Sequence, residues 1–319
     1  MSNIVYEIID LVKFIKPNPL PITNHINLNI YEGEVFGLLG KNGAGKTTLI
    51  RQLVGLSKPN SGSINLFGVD IVKSPDFVSN FIALQPQEMG LPSQATVRNL
   101  IEITGQLRGL THIDASKFTN DILDEFNLAN KQHTPFSRLS GGQRRLVTIA
   151  TTLIGDRPIM IFDEPTNDLD PEIRRVVWSK IRKYAESGCT IILVTHNVLE
   201  AESVLDRVGI VHSGQIIALG TPNELKNQIK VHARLEIILK SDLNNENKHL
   251  IDSFSNSTLL SSRHISIEVT NSEVEDYIHK ILHDFDKIED FRIIKPNLED
   301  VYIKMSGGER IETRSFVRG

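Results

Sequence analysis

Apolar positions along the first two-thirds of the chain alternate between short continuous runs and helical spacing. Val35 to Leu39 is a run of strand length that ends on the glycine-rich Gly40 to Gly45, and Leu49, Ile50, Leu53 and Val54 follow at helical spacing. Strand, loop and helix are predicted in that order. Pro59 and the Asn60-Ser61-Gly62 cluster stop the helix, and Ser63 to Phe67 predicts a returning strand. Between about 90 and 155 the strand signals fade. Thr96 to Leu107, Ala115 to Phe126 and Gly142 to Leu153 each carry apolar residues at helical spacing, which predicts a helical insert. Strands return at Pro158 to Phe162 and Thr190 to Val194, around a helix at Pro171 to Tyr184. Val208 to His212 and Gln215 to Leu219 flank Ser213-Gly214 as a hairpin would.

This alternation favours an α/β fold, a sheet with helices packed on it. After the Gly220-Thr221-Pro222 break a second unit begins, with strands at Arg234 to Leu239, His264 to Val269 and Phe291 to Ile294 and a helix at Glu273 to Phe285. The expected division is a first domain over 1–226, a small α+β domain over 227–306 and a polar tail over 307–319. No internal repeat or low-complexity tract interrupts it.

Composition changes this picture little. The 319 residues suit a domain of about 200 residues plus a smaller one, and 40% hydrophobic with 23% charged residues is an ordinary globular balance. No apolar run approaches the roughly 20 residues of a membrane span; Thr190 to Thr195, among the longer, is strand-sized. Lysine plus arginine number 35 against 39 aspartate plus glutamate, so a net charge of -4 gives no bulk attraction to nucleic acid or anionic lipid. Met1 to Lys13 lacks a basic stretch followed by an apolar one, which predicts no secretory signal and a chain that stays inside the cell. The sole cysteine, Cys189, reads as core filler and agrees with a reducing compartment.

The chemistry begins in the first loop. Gly40-Lys41-Asn42-Gly43-Ala44-Gly45-Lys46-Thr47 fits G-x-x-x-x-G-K-[ST], placed between a strand and a helix as that motif requires. Its glycines let backbone N–H groups form a nest for phosphate, Lys46 reaches the terminal phosphates, and Thr47 offers an oxygen to Mg²⁺. Ile159 to Asp163 is an apolar strand that ends in two carboxylates, where Asp163 can hold Mg²⁺ and Glu164 can polarise an attacking water. Leu139-Ser140-Gly141-Gly142-Gln143 precedes it, and His196 closes the strand Thr190 to Thr195. In the helix of the second unit Asp276, His279 and His283 share a face, but a solvated polar face explains them better than a metal site.

This order of motifs resembles that of ATP-binding-cassette ATPases, over about 4 to 226. The resemblance implies a P-loop NTPase domain with a helical insert at about 90–155, ATP hydrolysis and Mg²⁺. It implies that nucleotide is held by Phe14, Gly40, Asn42, Gly43, Ala44, Gly45, Lys46, Thr47 and Thr48. Ser140, Gly141, Gly142 and Gln143 then open a helix toward the γ-phosphate of ATP in a second copy, a homodimer. Gln87 corresponds to the family's glutamine loop, touching Mg²⁺ and the attacking water; Gln85 is its rival two positions away. Thr47, Gln87 and Asp163 form the Mg²⁺ set, Glu164 is the base, and His196 contacts the γ-phosphate. For adenine stacking Phe14 is the candidate and Tyr6 the alternative, with Lys16-Pro17-Asn18-Pro19-Leu20-Pro21 lengthening the turn nearby.

Two further features refine the resemblance. Asn167-Asp168-Leu169-Asp170 carries an acid at 168 where the family more commonly has a small residue. Pro296 to Met305 is similar to the ending of ATPases serving ABC-2-type exporters of drugs, lipids, polysaccharides or ions. The implied protein is a cytoplasmic subunit, peripheral on the inner face of the membrane, which powers an integral-membrane subunit in a separate chain and binds no nucleic acid. The other reading is a soluble cassette ATPase acting on nucleic acid or ribosomes. A nucleotide kinase or GTPase leaves Ser140, Glu164 and His196 unexplained, and no Asn-Lys-x-Asp guanine element is present.

Overall fold

The computed structural model describes residues 3–87, 90–196, 198–229, 233–243, 257–270 and 273–307. The chain forms two units that divide between Pro222 and Asn223.

In the first unit, strands β1 (Ile4–Lys13), β2 (Thr23–Tyr31), β4 (Ser61–Leu66) and β5 (Val69–Asp70) make an antiparallel sheet in the order β2-β1-β4-β5. The second sheet has the order β10-β9-β3-β8-β7-β6. It is built from β3 (Val35–Leu39), β6 (Ile82–Gln85), β7 (Ile159–Asp163), β8 (Thr190–Thr195), β9 (Arg207–His212) and β10 (Gln215–Gly220). All its pairings are parallel except β9 with β10. Every residue of β3, β7 and β8 is buried, as a parallel sheet covered on both faces requires, and this is why these strands read as continuous apolar runs.

Helix α1 (Lys46–Leu53) starts where β3 ends. Its Leu49, Ile50 and Leu53 share one core cluster with Ile8, Leu11 and Ile26 of the first sheet and with Phe36, Ile161 and Val194 of the second. Each such side chain contributes about 1.5–3 kcal/mol by leaving water, so the helix is fixed rigidly and the loop at its start is fixed with it. The insert holds α2 (Val97–Leu107), α3 (His112–Glu125) and α4 (Gly141–Leu153); α5 (Pro171–Glu186) joins β7 to β8, and α6 (Val198–Ala201) is short.

The sequence pattern missed β1 because its alternation slips; β2, also missed, keeps a strict alternation from Ile26 to Tyr31 and breaks it only at His25. Ile9 and Asp10 are consecutively exposed at a register shift, and Asp10 and His25 face each other with φ of 49° and 52°. A bulge of this kind moves following side chains to the other face. Helix α3 starts earlier than its apolar spacing predicts, because the Thr111 side chain accepts from the N–H of Asp114 at 3.1 Å and caps the extra turn.

In the second unit α7 (Pro222–Asn227) straddles the division, and β11 (Ala233–Leu239), β12 (Ser257–Ser261), β13 (His264–Val269) and β14 (Ile288–Ile294) form an antiparallel sheet in the order β12-β13-β11-β14. Leu235, Ile237, Ile265 and Ile267 pack with Tyr277 and Ile281 of α8 (Val274–His283). The chain continues into α9 (Leu298–Met305), capped by Asn297 through the N–H groups of Glu299 and Asp300. Strand β12 carries four exposed residues in five, so no buried alternation marked it in the sequence.

Candidate active site

The adjacent strands β3, β8 and β7 run parallel, so their carboxyl ends bring three loops to one edge of the sheet: Leu39 lies beside Thr195, and Asp163 beside Val194. Such an edge is where ligands bind in α/β sheets.

The loop after β3 depends on its glycines at two tight approaches. A Cβ on Gly40 (φ 155°) would lie 2.3 Å from the carbonyl oxygen of Val211, and one on Gly45 (φ 106°) would lie 2.3 Å from that of Ile22. Around Gly43 nothing lies within 4 Å of the corresponding position, which leaves open space beside the loop. Asn42 is exposed, Ala44 buried and Thr48 half-buried. Lys46 is buried, and its Nζ donates to the carbonyls of Gly40 at 2.6 Å and Lys41 at 2.9 Å. Burial lowers its pKa, while Glu164 and Asp163 oppose that shift.

At the end of β7 the Thr47 hydroxyl donates to Oδ2 of Asp163 at 3.5 Å. Burial first, and the neighbouring Glu164 next, push the Asp163 carboxyl up to about 6. A hydroxyl and an under-compensated carboxylate are hard oxygen donors of the kind Mg²⁺ takes with substrate phosphates. The residues therefore fit that ion. Among the described residues no group of three or more His, Cys, Asp or Glu is placed to hold a metal by itself, so the ion would share its ligands with the phosphates.

Glu164 has a left-handed backbone (φ 53°), which turns its side chain off the strand end and toward β8. There Oε1 accepts from the backbone N–H of His196 at 3.0 Å and lies 2.8 Å from its Nδ1, while Oε2 accepts from the Thr195 hydroxyl at 3.2 Å. The structure thus brings together Lys46, Thr47, Asp163, Glu164 and His196. Thr195 completes the seat of Glu164, and as the closing residue of an apolar strand it gave no signal in the sequence.

Ser140 is an exposed N-cap for α4. It and Gln143 form a capping box, with the Ser140 Oγ accepting from the Gln143 N–H at 3.3 Å and the Gln143 side chain accepting from the Ser140 N–H at 3.1 Å. Gly141 is exposed with open space where a Cβ would stand, whereas a Cβ on Gly142 would come within 2.8 Å of the Asp168 carbonyl. The loop holding Asp168 (φ 62°) therefore braces the start of α4 within the same chain.

The two glutamines occupy different places. Gln87 is exposed, and its carbonyl accepts from Nη1 of Arg145 at 3.1 Å. Gln85 is fully buried; its Nε2 donates to the carbonyls of Pro86 at 2.7 Å and Asp163 at 3.3 Å, and its Oε1 has no partner. The buried glutamine holds the strand end, and the exposed one is open to a ligand. Tyr6 is excluded from stacking: its ring is fully buried and its hydroxyl donates to the carbonyl of Leu53 at 2.8 Å. Phe14 is 44% exposed at the end of β1. The carbonyl of the preceding Lys13 accepts from the N–H of Ile22, the residue whose own carbonyl abuts Gly45. Ile22 thus links the backbone beside Phe14 to the phosphate loop.

A family model described as "ABC transporter" matches residues 23–167. The Nod factor export ATP-binding protein I of Rhizobium meliloti (strain 1021) is 32% identical over 294 residues, covering 91% of this chain and 84% of that protein. The retinal-specific phospholipid-transporting ATPase ABCA4 of Mus musculus is 36% identical over 218 residues, covering 68% of this chain and 9% of that much longer one. Among solved structures, an ATP-binding subunit of an ABC transporter superposes with a TM-score of 0.65 at 26% identity, covering 70% of this chain and 92% of that one. A dimeric ATP-binding cassette in a post-hydrolysis state, bound to ADP and Pi, gives 0.63 at 23% identity over 68% and 98%, a likeness of fold.

Proposed function

The chain belongs to the ABC transporter family and is an ATPase of its cassette type, and from that premise we propose that it drives export through a separate membrane-embedded subunit, two cassettes closing together on ATP. The observation that carries the reading is the convergence of Lys46, Asp163 and the Glu164–His196 pair at one sheet edge, in the chain that also presents an exposed Ser140-Gly141 helix start.

Each residue then has a task. The loop N–H groups and Lys46 hold the β- and γ-phosphates, and Phe14 stacks on the adenine. Thr47, Asp163 and Gln87 would hold Mg²⁺, which when bound neutralises phosphate charge. Glu164, fixed by Thr195 and His196, accepts a proton from the attacking water as its oxygen bonds to the γ-phosphorus and the bond from that phosphorus to the bridging oxygen breaks, releasing ADP and phosphate. His196 keeps Glu164 aligned and contacts the γ-phosphate. Ser140, Gly141 and Gly142 direct a helix N-terminus at the nucleotide of the other copy, where aligned peptide dipoles favour an anion. With only one phosphate loop in the chain, that helix end meets an anion in this way through a partner.

Phe14→Ala is expected to weaken ATP binding by about 1–3 kcal/mol, the worth of one stacking platform. Fluorescence or calorimetric titration checks it; unchanged affinity removes Phe14 from the site.

The export direction is supported by the relative named for Nod factor export and by the Pro296 to Met305 ending. Among the described residues no helix is long and apolar enough to cross a membrane. A docking surface is offered by the insert: Ile103 (52%), Leu107 (82%) and Ile113 (78%) are exposed on α2 and the start of α3. Exposed apolar groups of this kind fit the ends of a membrane subunit's helices better than water. Leu107→Glu with Ile113→Glu, coexpressed with that subunit, is expected to release the protein from sedimenting membranes. Its melting temperature should stay put, since surface changes cost within about 0.5 kcal/mol. Continued co-sedimentation would move the docking surface elsewhere.

A further inference from the structure

Arg145 lies in α4, five positions past Ser140, and is only 5% exposed. A guanidinium has five N–H donors, and burying it is unfavourable unless they are used. Here Nη1 donates to the carbonyl of Gln87 at 3.1 Å, while Nε is buried with no hydrogen-bond partner. An apolar side chain, such as its neighbours Leu146 and Val147, would fill a core position at lower cost. What favours the charge is the field of three carboxylates, Asp168, Glu164 and Asp163 in decreasing order, which oppose the effect of burial on its pKa. The strongest belongs to the acid that departs from the family's usual loop. The same loop braces the first turn of α4 through the Asp168 carbonyl near Gly142.

We infer that Arg145 is a positioning residue of the ATPase centre: it ties the helix that starts at Ser140 to the backbone of the glutamine loop at Gln87 and balances the acid cluster of Asp163, Glu164 and Asp168. The helix, the glutamine loop and the carboxylate end of β7 then move as one body. Without it, one buried cation fewer faces three acids, and Gln87 loses the bond that fixes its carbonyl. Arg145 touches neither nucleotide nor water in this scheme and acts through the groups it holds. The inference rests on the reading of Glu164 as base.

The test compares full-length Arg145→Gln, Arg145→Lys and Arg145→Gln with Asp168→Asn, measuring ATP turnover, KM and melting temperature. Wild type and Glu164→Gln run alongside. Arg145→Gln is expected to lose at least about tenfold in kcat with KM changed less than about threefold. Lysine, which keeps the charge, should retain more turnover than glutamine, and Asp168→Asn in the glutamine background should recover part of the loss by removing one unbalanced acid. A kcat for Arg145→Gln within twofold of wild type overturns the inference, as does a double variant no more active than the single one. If Arg145→Gln does not fold, the decision passes to Arg145→Lys, where a loss in kcat at constant KM supports the inference and a rise in KM at constant kcat overturns it. Glu164→Gln with wild-type turnover would instead overturn the assignment of the base, a distinguishable failure.

Discussion

Glu164→Gln is expected to bind ATP without hydrolysing it and to run as an ATP-dependent dimer. Glutamine keeps the size of the side chain, its Oε1 can still accept from the His196 N–H, and its amide can donate to the Thr195 hydroxyl, so the local frame survives. The left-handed backbone at 164 is no worse for glutamine than for glutamate. The base is lost, and a positioned general base contributes about 10²–10⁴-fold in rate. A negative charge facing the γ-phosphate is lost as well, which strengthens nucleotide binding. Unhydrolysed ATP then stays between the phosphate loop of one copy and the Ser140 helix start of the other. Adding Ser140→Arg should abolish the dimer, because a long side chain at an exposed cap blocks the helix end. Losing the cap should itself cost about 0.5–2 kcal/mol of stability, so folding is checked by melting temperature. Size exclusion with light scattering, with and without Mg-ATP, decides the matter. A Glu164→Gln protein that remains monomeric with ATP bound and still hydrolyses it removes both roles.

The parts of this site that were legible in the sequence are those whose chemistry is written in consecutive residues. The phosphate loop needs glycine where a Cβ would strike the Val211 and Ile22 carbonyls, and a lysine and threonine opening the next helix, so eight adjacent letters specify it. The carboxylates at the end of β7 were visible because a fully buried parallel strand reads as an apolar run that stops. What could not be read is pairing across the sheet. The Glu164–His196 contact joins residues 32 positions apart, through the strand order that sets β7 beside β8 and the positive φ that swings Glu164 over. Phe14 was the candidate and Tyr6 the alternative for the adenine, and burial separates them, since β1 turns Tyr6 into the core and the chain leaves Phe14 open. Arg145 was invisible for the opposite reason: a basic residue in a helix reads as a solvated face, and only the fold shows it enclosed.

Lys46→Ala should remove most of the affinity for ATP while leaving the fold standing. The Lys46 ammonium sits in the mouth of the loop, bonded to the carbonyls of Gly40 and Lys41, within reach of the place where phosphate oxygens meet the loop N–H groups. Hydrogen bonds to charged partners are worth about 1.5–3 kcal/mol each, so losing two to phosphate oxygens predicts a fall of about 10²–10⁴-fold in affinity. The fold itself loses little. Leu49, Ile50 and Leu53, not Lys46, anchor α1 in the core, and alanine removes a buried cation whose desolvation the protein no longer has to offset. Asp163 and Glu164 are at the same time deprived of the cation that balances them and of its screening against the phosphates, so ATP and ADP should both suffer. Titration with each nucleotide, with and without Mg²⁺, separates these effects, and a melting curve reports the fold. Near-wild-type affinity for ATP would mean that phosphate is held elsewhere. A protein that fails to melt cooperatively would instead show that Lys46 holds its own loop together through Gly40 and Lys41, and Lys46→Met, which restores the aliphatic stem, would then measure the charge alone.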